Sequence, residues 1–243
     1  MSKGIDVSKH NGAIDWGKVK ASGAVDFTII RAGYGKSISQ KDAQFESNYQ
    51  GCKAHGIPCG AYWYSYALTP AEAEAEARAF LEVIKDKQLE YPVWFDIEEK
   101  KAFSTGMKNC SAMIRAFCGV MEQAGYWCGI YCSTSAIKSY IDADTQKRYA
   151  IWAAEWGSKL NYSGASIWQY SSKGRINGIS TNVDLDDCAV DYPEMVKSAG
   201  KNGFAKPIET PAVKPVEPSV HDTIQVTMQV GDKTYSGILT AIE

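Results

Sequence analysis

Short runs of β-forming residues recur along the chain at Ile5–Val7, Phe27–Arg31, Pro58–Tyr66, Val93–Glu98, Gly129–Cys132, Ile151–Ala154, Ser166–Tyr170 and Val183–Asp186. Stretches of helical character separate the early ones, at 15–22, 41–56, 69–88 and 107–125. Parallel neighbours need a long crossover, so strands alternating with helices predict a parallel sheet. Eight such strands suit a closed barrel whose side chains fill its interior. The helix signals are local and chemical. Thr69 is placed to cap the third helix with Pro70 in its first turn, and Gly56 and Gly125 close the second and fourth. The alternating "AEAEAEA" of the third helix reads as a solvated face.

The spacing changes late in the chain. Roughly ten to a dozen residues separate the sixth run from the seventh and the seventh from the eighth, and both gaps are rich in Gly, Ser and Asn. No crossover helix fits there, and short connections permit antiparallel pairing. The expected fold class is therefore α/β: an irregular TIM-like barrel of about five βα units plus three strands, over residues 1–200. Residues 201–222 read as a Pro-rich linker, since "KPIETPAVKPVEPSVHD" holds four of the eight prolines. Residues 223–243 then alternate strictly about Gly231-Asp232, which predicts a β-hairpin with Ile224, Val226, Met228, Tyr235 and Leu239 on one face. A lone hairpin is marginal in water, so it is expected to pack on a partner polymer or, preferentially, a second copy of the chain.

Composition narrows the partners. With 26 basic against 28 acidic side chains there is no field strong enough to imply nucleic acid or an anionic membrane. The start, "MSKGIDVSKHNG", has no apolar signal region and no later segment is apolar enough to span a membrane. A soluble protein made in the cytoplasm without a signal peptide, and not inserted in a membrane, is the expectation. Seven cysteines without C-x-x-C spacing read as reduced core thiols, and none of the three histidines falls in a predicted strand, so neither a cofactor nor a metal is expected.

The chemistry sits in "YPVWFDIEEKK" (91–101). Side chains alternate along a strand, so Asp96 and Glu98 share the face of Trp94, while Val93, Phe95 and Ile97 take the face packed under helices. The acidic face is either solvent or a site. In a barrel the site lies at the carboxyl ends of the strands, and those ends hold Asp6, Arg31, Tyr62, Tyr64, Asp96, Glu98, Tyr131, Trp152, Gln169, Tyr170 and Asp184. Flat rings stack on sugar faces and crowded carboxylates split their pKa values, so this set suits glycoside cleavage. Asp186 and Asp187 read as surface acids or a cap for the last helix, and His10 as a loop hydrogen bonder.

In order along the chain, "GIDVSKHNGAIDW", "TIIRAGYG", "GAYWYSYA", "PVWFDIEE", "GIYCS", "WAAEW" and "WQYSSKGRINGISTNVDLD" make residues 4–192 resemble glycoside hydrolase family 25, the lysozymes (N-acetylmuramidases) of phage and bacterial wall-degrading enzymes. The resemblance implies cleavage of the β-1,4 bond between N-acetylmuramic acid and N-acetylglucosamine in bacterial peptidoglycan, as by a phage or prophage endolysin acting after release. It implies Glu98 as general acid/base, Asp96 as second catalytic carboxylate, and Asp6 and Asp184 as outer acids. Tyr62, Tyr64, Tyr131, Trp152, Gln169, Tyr170 and Arg31 are the expected substrate contacts. Whether Asp96 attacks the sugar or positions its acetamido group stays open for the family; the second is preferred. One departure is Trp63, where the family often has histidine. A metal-dependent barrel hydrolase and an inactive wall-binding module are the rival readings.

Overall fold

The computed structural model describes residues 1–206 and 223–240, in two compact units divided after Pro207. The first is a closed barrel of eight strands in sequence order: β1 (Ser2–Val7), β2 (Phe27–Tyr34), β3 (Cys59–Tyr64), β4 (Val93–Asp96), β5 (Cys128–Ser133), β6 (Ala150–Ala154), β7 (Ile167–Gly174) and β8 (Val183–Cys188). Around it lie α1 (Trp16–Ala21), α2 (Phe45–Ala54), α3 (Pro70–Ile84), α4 (Lys100–Phe103), α5 (Met107–Gln123), α6 (Thr134–Tyr140), α7 (Ala143–Arg148) and α8 (Tyr192–Ser198). Strands β1 to β7 pair in parallel, whereas β8 runs antiparallel to both β7 and β1 and closes the ring. The late-gap expectation of an antiparallel strand is thus met by β8, while β7, whose connection from β6 also holds no helix, still pairs in parallel.

The pleat sorts the residues. Ile5, Val7, Ile30, Trp63, Val93, Phe95, Ile97, Ile130 and Ile151 face outward into the core under the helices, with Phe95 on Phe117 at a centroid distance of 4.3 Å. Inside the ring Phe27, Ile29, Trp94, Trp152, Ile167 and Cys188 form a second, smaller core. Glycine makes that interior possible. A Cβ on Gly4 would lie 2.2 Å from the Phe27 ring, and one on Gly129 would lie 2.5 Å from the Trp94 ring. The bulky floor therefore fills the barrel up to the level of Trp152, and the acids of β1, β4 and β8 stand above it.

Trp63 answers the family departure: it packs outward on Phe80 and its Nε1 donates to the Gly35 carbonyl at 2.9 Å, away from the cleft. All seven cysteines are free and buried. Thr69 caps α3, its hydroxyl accepting from Glu72 N at 3.3 Å, with Pro70 next. The solvated reading of "AEAEAEA" needs correction at Glu76, which is fully buried. The 3.6-residue turn puts it on the face of Ala73, Ala77 and Phe80, where it accepts from Ser65 Oγ at 2.6 Å and Tyr66 N at 2.9 Å. It thereby satisfies the loop that follows β3.

The barrel also extends past residue 200. Asn202 is buried, donating to the Tyr91 carbonyl at 2.8 Å and accepting from Trp127 N at 2.7 Å, so 201–206 belong to it. The rest of the expected linker, 207–222, and the terminal 241–243 lie outside the described residues. The second unit contains the predicted hairpin, β9 (Thr223–Val230) and β10 (Lys233–Thr240), with Ile224 opposite Leu239 and Met228 opposite Tyr235. Gly231, at φ 63°, opens its two-residue turn in the left-handed conformation such turns require. Among the described residues no helix is long and apolar enough to cross a membrane.

Candidate active site

A cleft of about 400 Å³ opens at the carboxyl ends of the barrel strands. Asp6, Asp96, Glu98 and Asp184 all line it, joined by Arg31, Tyr62, Tyr64, Tyr131, Trp152 and Gln169. The register explains the convergence: Asp6 lies directly across from Asp184, and Asp96 is paired with Tyr64 on one side and Tyr131 on the other. Asp96 is only 3% exposed, whereas Glu98, just past the strand, is exposed.

Electrostatics divides the acids. Burial, then the Glu98 charge, pushes the Asp96 carboxyl well above the usual range, and Arg31 opposes the rise. Glu98 is also raised, first by lost solvation against the cleft wall and then by Glu99. Burial lifts Asp184 to about 6. Asp6 is raised by burial and then by Asp186 and Asp184, against the donation from Gln169. Burial and mutual repulsion thus raise all four carboxyls, the direction in which crowded acids can retain a proton to donate.

Hydrogen bonds fix the wall. Gln169 Nε2 donates to Asp6 Oδ2 at 2.8 Å, while its Oε1 accepts from the Tyr131 hydroxyl at 3.0 Å and from Trp156 Nε1 at 3.1 Å. Arg31 Nε donates to Asp42 Oδ2 at 2.7 Å, leaving its Nη2 buried without a partner. The Tyr131 ring lies on Trp152 at 4.5 Å, and Tyr64 donates to Glu99 at 2.7 Å. One oxygen of Asp96, Oδ1, is buried with no donor among the protein groups. An unsatisfied buried acceptor of this kind is costly, and a substrate N–H would relieve it.

Two expectations fail here. Tyr170 does not line the cleft: one position beyond Gln169 it takes the opposite face of β7, beside Trp168 and the Lys3 ammonium. Asp186 is no surface acid, for it is 0% exposed inside the ring. The last helix is capped instead by Asp191, which accepts from Glu194 N at 3.2 Å. Of the pair, only Asp187 meets solvent, bound to Lys3 at 2.6 Å. Trp156, an aromatic just past the end of strand six in "WAAEW" and not among the expected substrate contacts, is 65% exposed on the rim. Ser8, His10, Asn11 and Asn182 also line the cleft. Asn11 is held by the loop before β8, its Nδ2 donating to the Asn182 carbonyl at 3.1 Å. Among the described residues no group of three or more His, Cys, Asp or Glu side chains is arranged to hold a metal ion.

A closed barrel with an acidic, aromatic-walled cleft at its carboxyl rim has the architecture of a glycoside hydrolase. The chain belongs to the glycosyl hydrolases family 25, whose family model matches residues 5–179. It is 31% identical over 187 residues to the autolytic lysozyme of Clostridium acetobutylicum, an alignment covering 76% of this chain and 55% of that protein. Among solved structures it is similar to the modular autolysin LytC from Streptococcus pneumoniae, with 30% identity and a TM-score of 0.69 over 76% of this chain and 46% of that one. It is also similar to the CTP1L endolysin, with 26% identity and a TM-score of 0.70 over 82% and 70% of the two chains. The chain thus spans about half the length of the first two relatives.

Proposed function

We propose that this protein is a peptidoglycan hydrolase that cleaves the β-1,4 bond between N-acetylmuramic acid and N-acetylglucosamine, with an endolysin-like role on the bacterial wall after release from its host cell. The observation that carries this reading is the meeting of Asp6, Asp96, Glu98 and Asp184, from three distant parts of the chain, in one cleft with aromatic walls. Glu98, at the exposed mouth, protonates the leaving oxygen and then activates water. Asp96, enclosed and with Oδ1 unsatisfied, accepts from the acetamido N–H of the sugar, so that the acetamido oxygen attacks the anomeric carbon. Arg31, clamped by Asp42, sustains the negative charge on Asp96. Tyr62, Tyr64, Tyr131, Trp152 and Trp156 supply the surfaces against which the glycan lies.

Incubation with purified peptidoglycan tests the reading: new reducing ends should appear and persist in EDTA. Binding without release would favour an inactive wall-binding module, and loss in EDTA a metal-dependent hydrolase.

The carboxyls titrate as a coupled set, so kcat/KM should be bell-shaped in pH, with the alkaline limb marking loss of the proton Glu98 must deliver. Asp184 is a like charge that raises Glu98. Asp184→Asn removes that charge and lowers the Glu98 pKa, so the alkaline limb should move to lower pH in a pH–rate profile.

The apolar face of the hairpin supports self-association. Ile224, Met228, Tyr235 and Leu239 are all more than half exposed. Light scattering should give the full chain a multiple of its 26.6 kDa mass, and a chain truncated at Lys206 should be monomeric.

A further inference from the structure

Asp184 and Asp186 face the same way on β8, yet only Asp184 has a place in the hydrolytic scheme. Asp186 lies one pleat deeper, opposite Gly4, where β1 offers no side chain. Its Oδ1 accepts from Trp152 Nε1 at 2.8 Å. Its Oδ2 is buried and receives no N–H or hydroxyl. What stands within hydrogen-bonding reach of the Asp186 carboxyl is the carboxyl of Asp6. Two ionised carboxylates cannot satisfy each other, whereas one carboxylic acid and one carboxylate can.

We propose that Asp186 and Asp6 share one proton across a carboxyl–carboxylate hydrogen bond, making Asp186 a positioning residue that holds Asp6 from the floor while Gln169 donates to it from the wall. The resulting chain of hydrogen bonds runs from Trp152 on the floor through Asp186, Asp6 and Gln169 to Tyr131 and Trp156 on the rim. The surroundings favour retaining that proton. Asp6 faces the group from β1, Asp184 and Asp187 flank it on β8 beside the Cys188 thiol, and Gln169 is its partner on β7, with Tyr170 on the outer face of that strand and Tyr62 of β3 facing Asp6. Burial, then the charges of Asp184 and Asp187, push Asp186 upward, against the hydrogen bonds with Trp152 and Asp6. The cations nearby are engaged elsewhere, Lys3 on Asp187 at 2.6 Å and Arg31 on Asp42 at 2.7 Å.

Asparagine reproduces a protonated aspartate: its carbonyl accepts from Trp152 and its amide N–H donates to Asp6. The kinetic arm of the test rests on the glycosidase reading; the thermal arm does not. Asp186→Asn should keep kcat/KM on peptidoglycan within about threefold of wild type, while Asp186→Ala should lose at least about tenfold, within the range of positioned acid–base groups. The melting temperatures carry a sign. A carboxyl with a raised folded pKa stabilises less and less as pH climbs from its unfolded value near 4 through its folded value. The margin by which Asp186→Asn melts above wild type should therefore grow between pH 4 and pH 8. A constant margin over that range, or an Asn variant as impaired as the Ala variant, would overturn the proposal. If wild type released no reducing ends at all, the proposed function would fail and the thermal comparison would still decide the proton.

Discussion

Glu98→Gln is expected to abolish turnover on peptidoglycan while leaving the fold intact. The side chain is exposed at the cleft mouth, so the amide displaces nothing in the core. What it removes is the proton that the leaving oxygen needs and the base that later activates water, two steps that use one carboxyl. The loss should exceed about 10³-fold, toward the upper range for general acid–base groups. Melting temperature measured beside reducing-end release checks it: an unchanged melt with activity gone supports the role, and wild-type turnover rejects it.

Asp96→Asn is expected to cost at least about 10²-fold in kcat, with stability preserved or improved at neutral pH. Asp96 is enclosed, and burial holds its folded pKa above the unfolded value. A group of that kind withdraws stability as pH rises through its folded pKa, so the neutral amide removes a penalty at pH 7 and adds none. The kinetic loss arises because the amide lacks the negative charge that orients the acetamido group and balances the cation formed beside it. A variant both less stable and fully active would contradict the assignment of Asp96.

Why some of this was legible in the sequence is a matter of periods. Alternation by two separated Trp94, Asp96 and Glu98 from Val93, Phe95 and Ile97, and the barrel preserves that division at every strand. The same rule, applied one residue further along β7, would have excluded Tyr170, since Gln169 and Tyr170 cannot both face inward. Applied along β8, it would have placed Asp186 with Asp184 inside the ring. Burial of so deep a charge runs against the general rarity of buried carboxylates, which is what favours a surface reading. Glu76 shows the limit on helices: "AEAEAEA" contains no sign of which glutamate the β3 loop recruits, because the donors, Ser65 Oγ and Tyr66 N, come from eleven and ten residues away. Trp156 lies beyond a strand end, where no period applies. The depth of the acids was likewise hidden, as it depends on Gly4 and Gly129 admitting Phe27 and Trp94 to the floor.

Mass spectrometry of the soluble fragments released from purified peptidoglycan tests the central claim most directly. Disaccharide-peptides with N-acetylmuramic acid at the new reducing end are predicted. Fragments ending in N-acetylglucosamine, or wall that binds the protein and releases nothing, would contradict it.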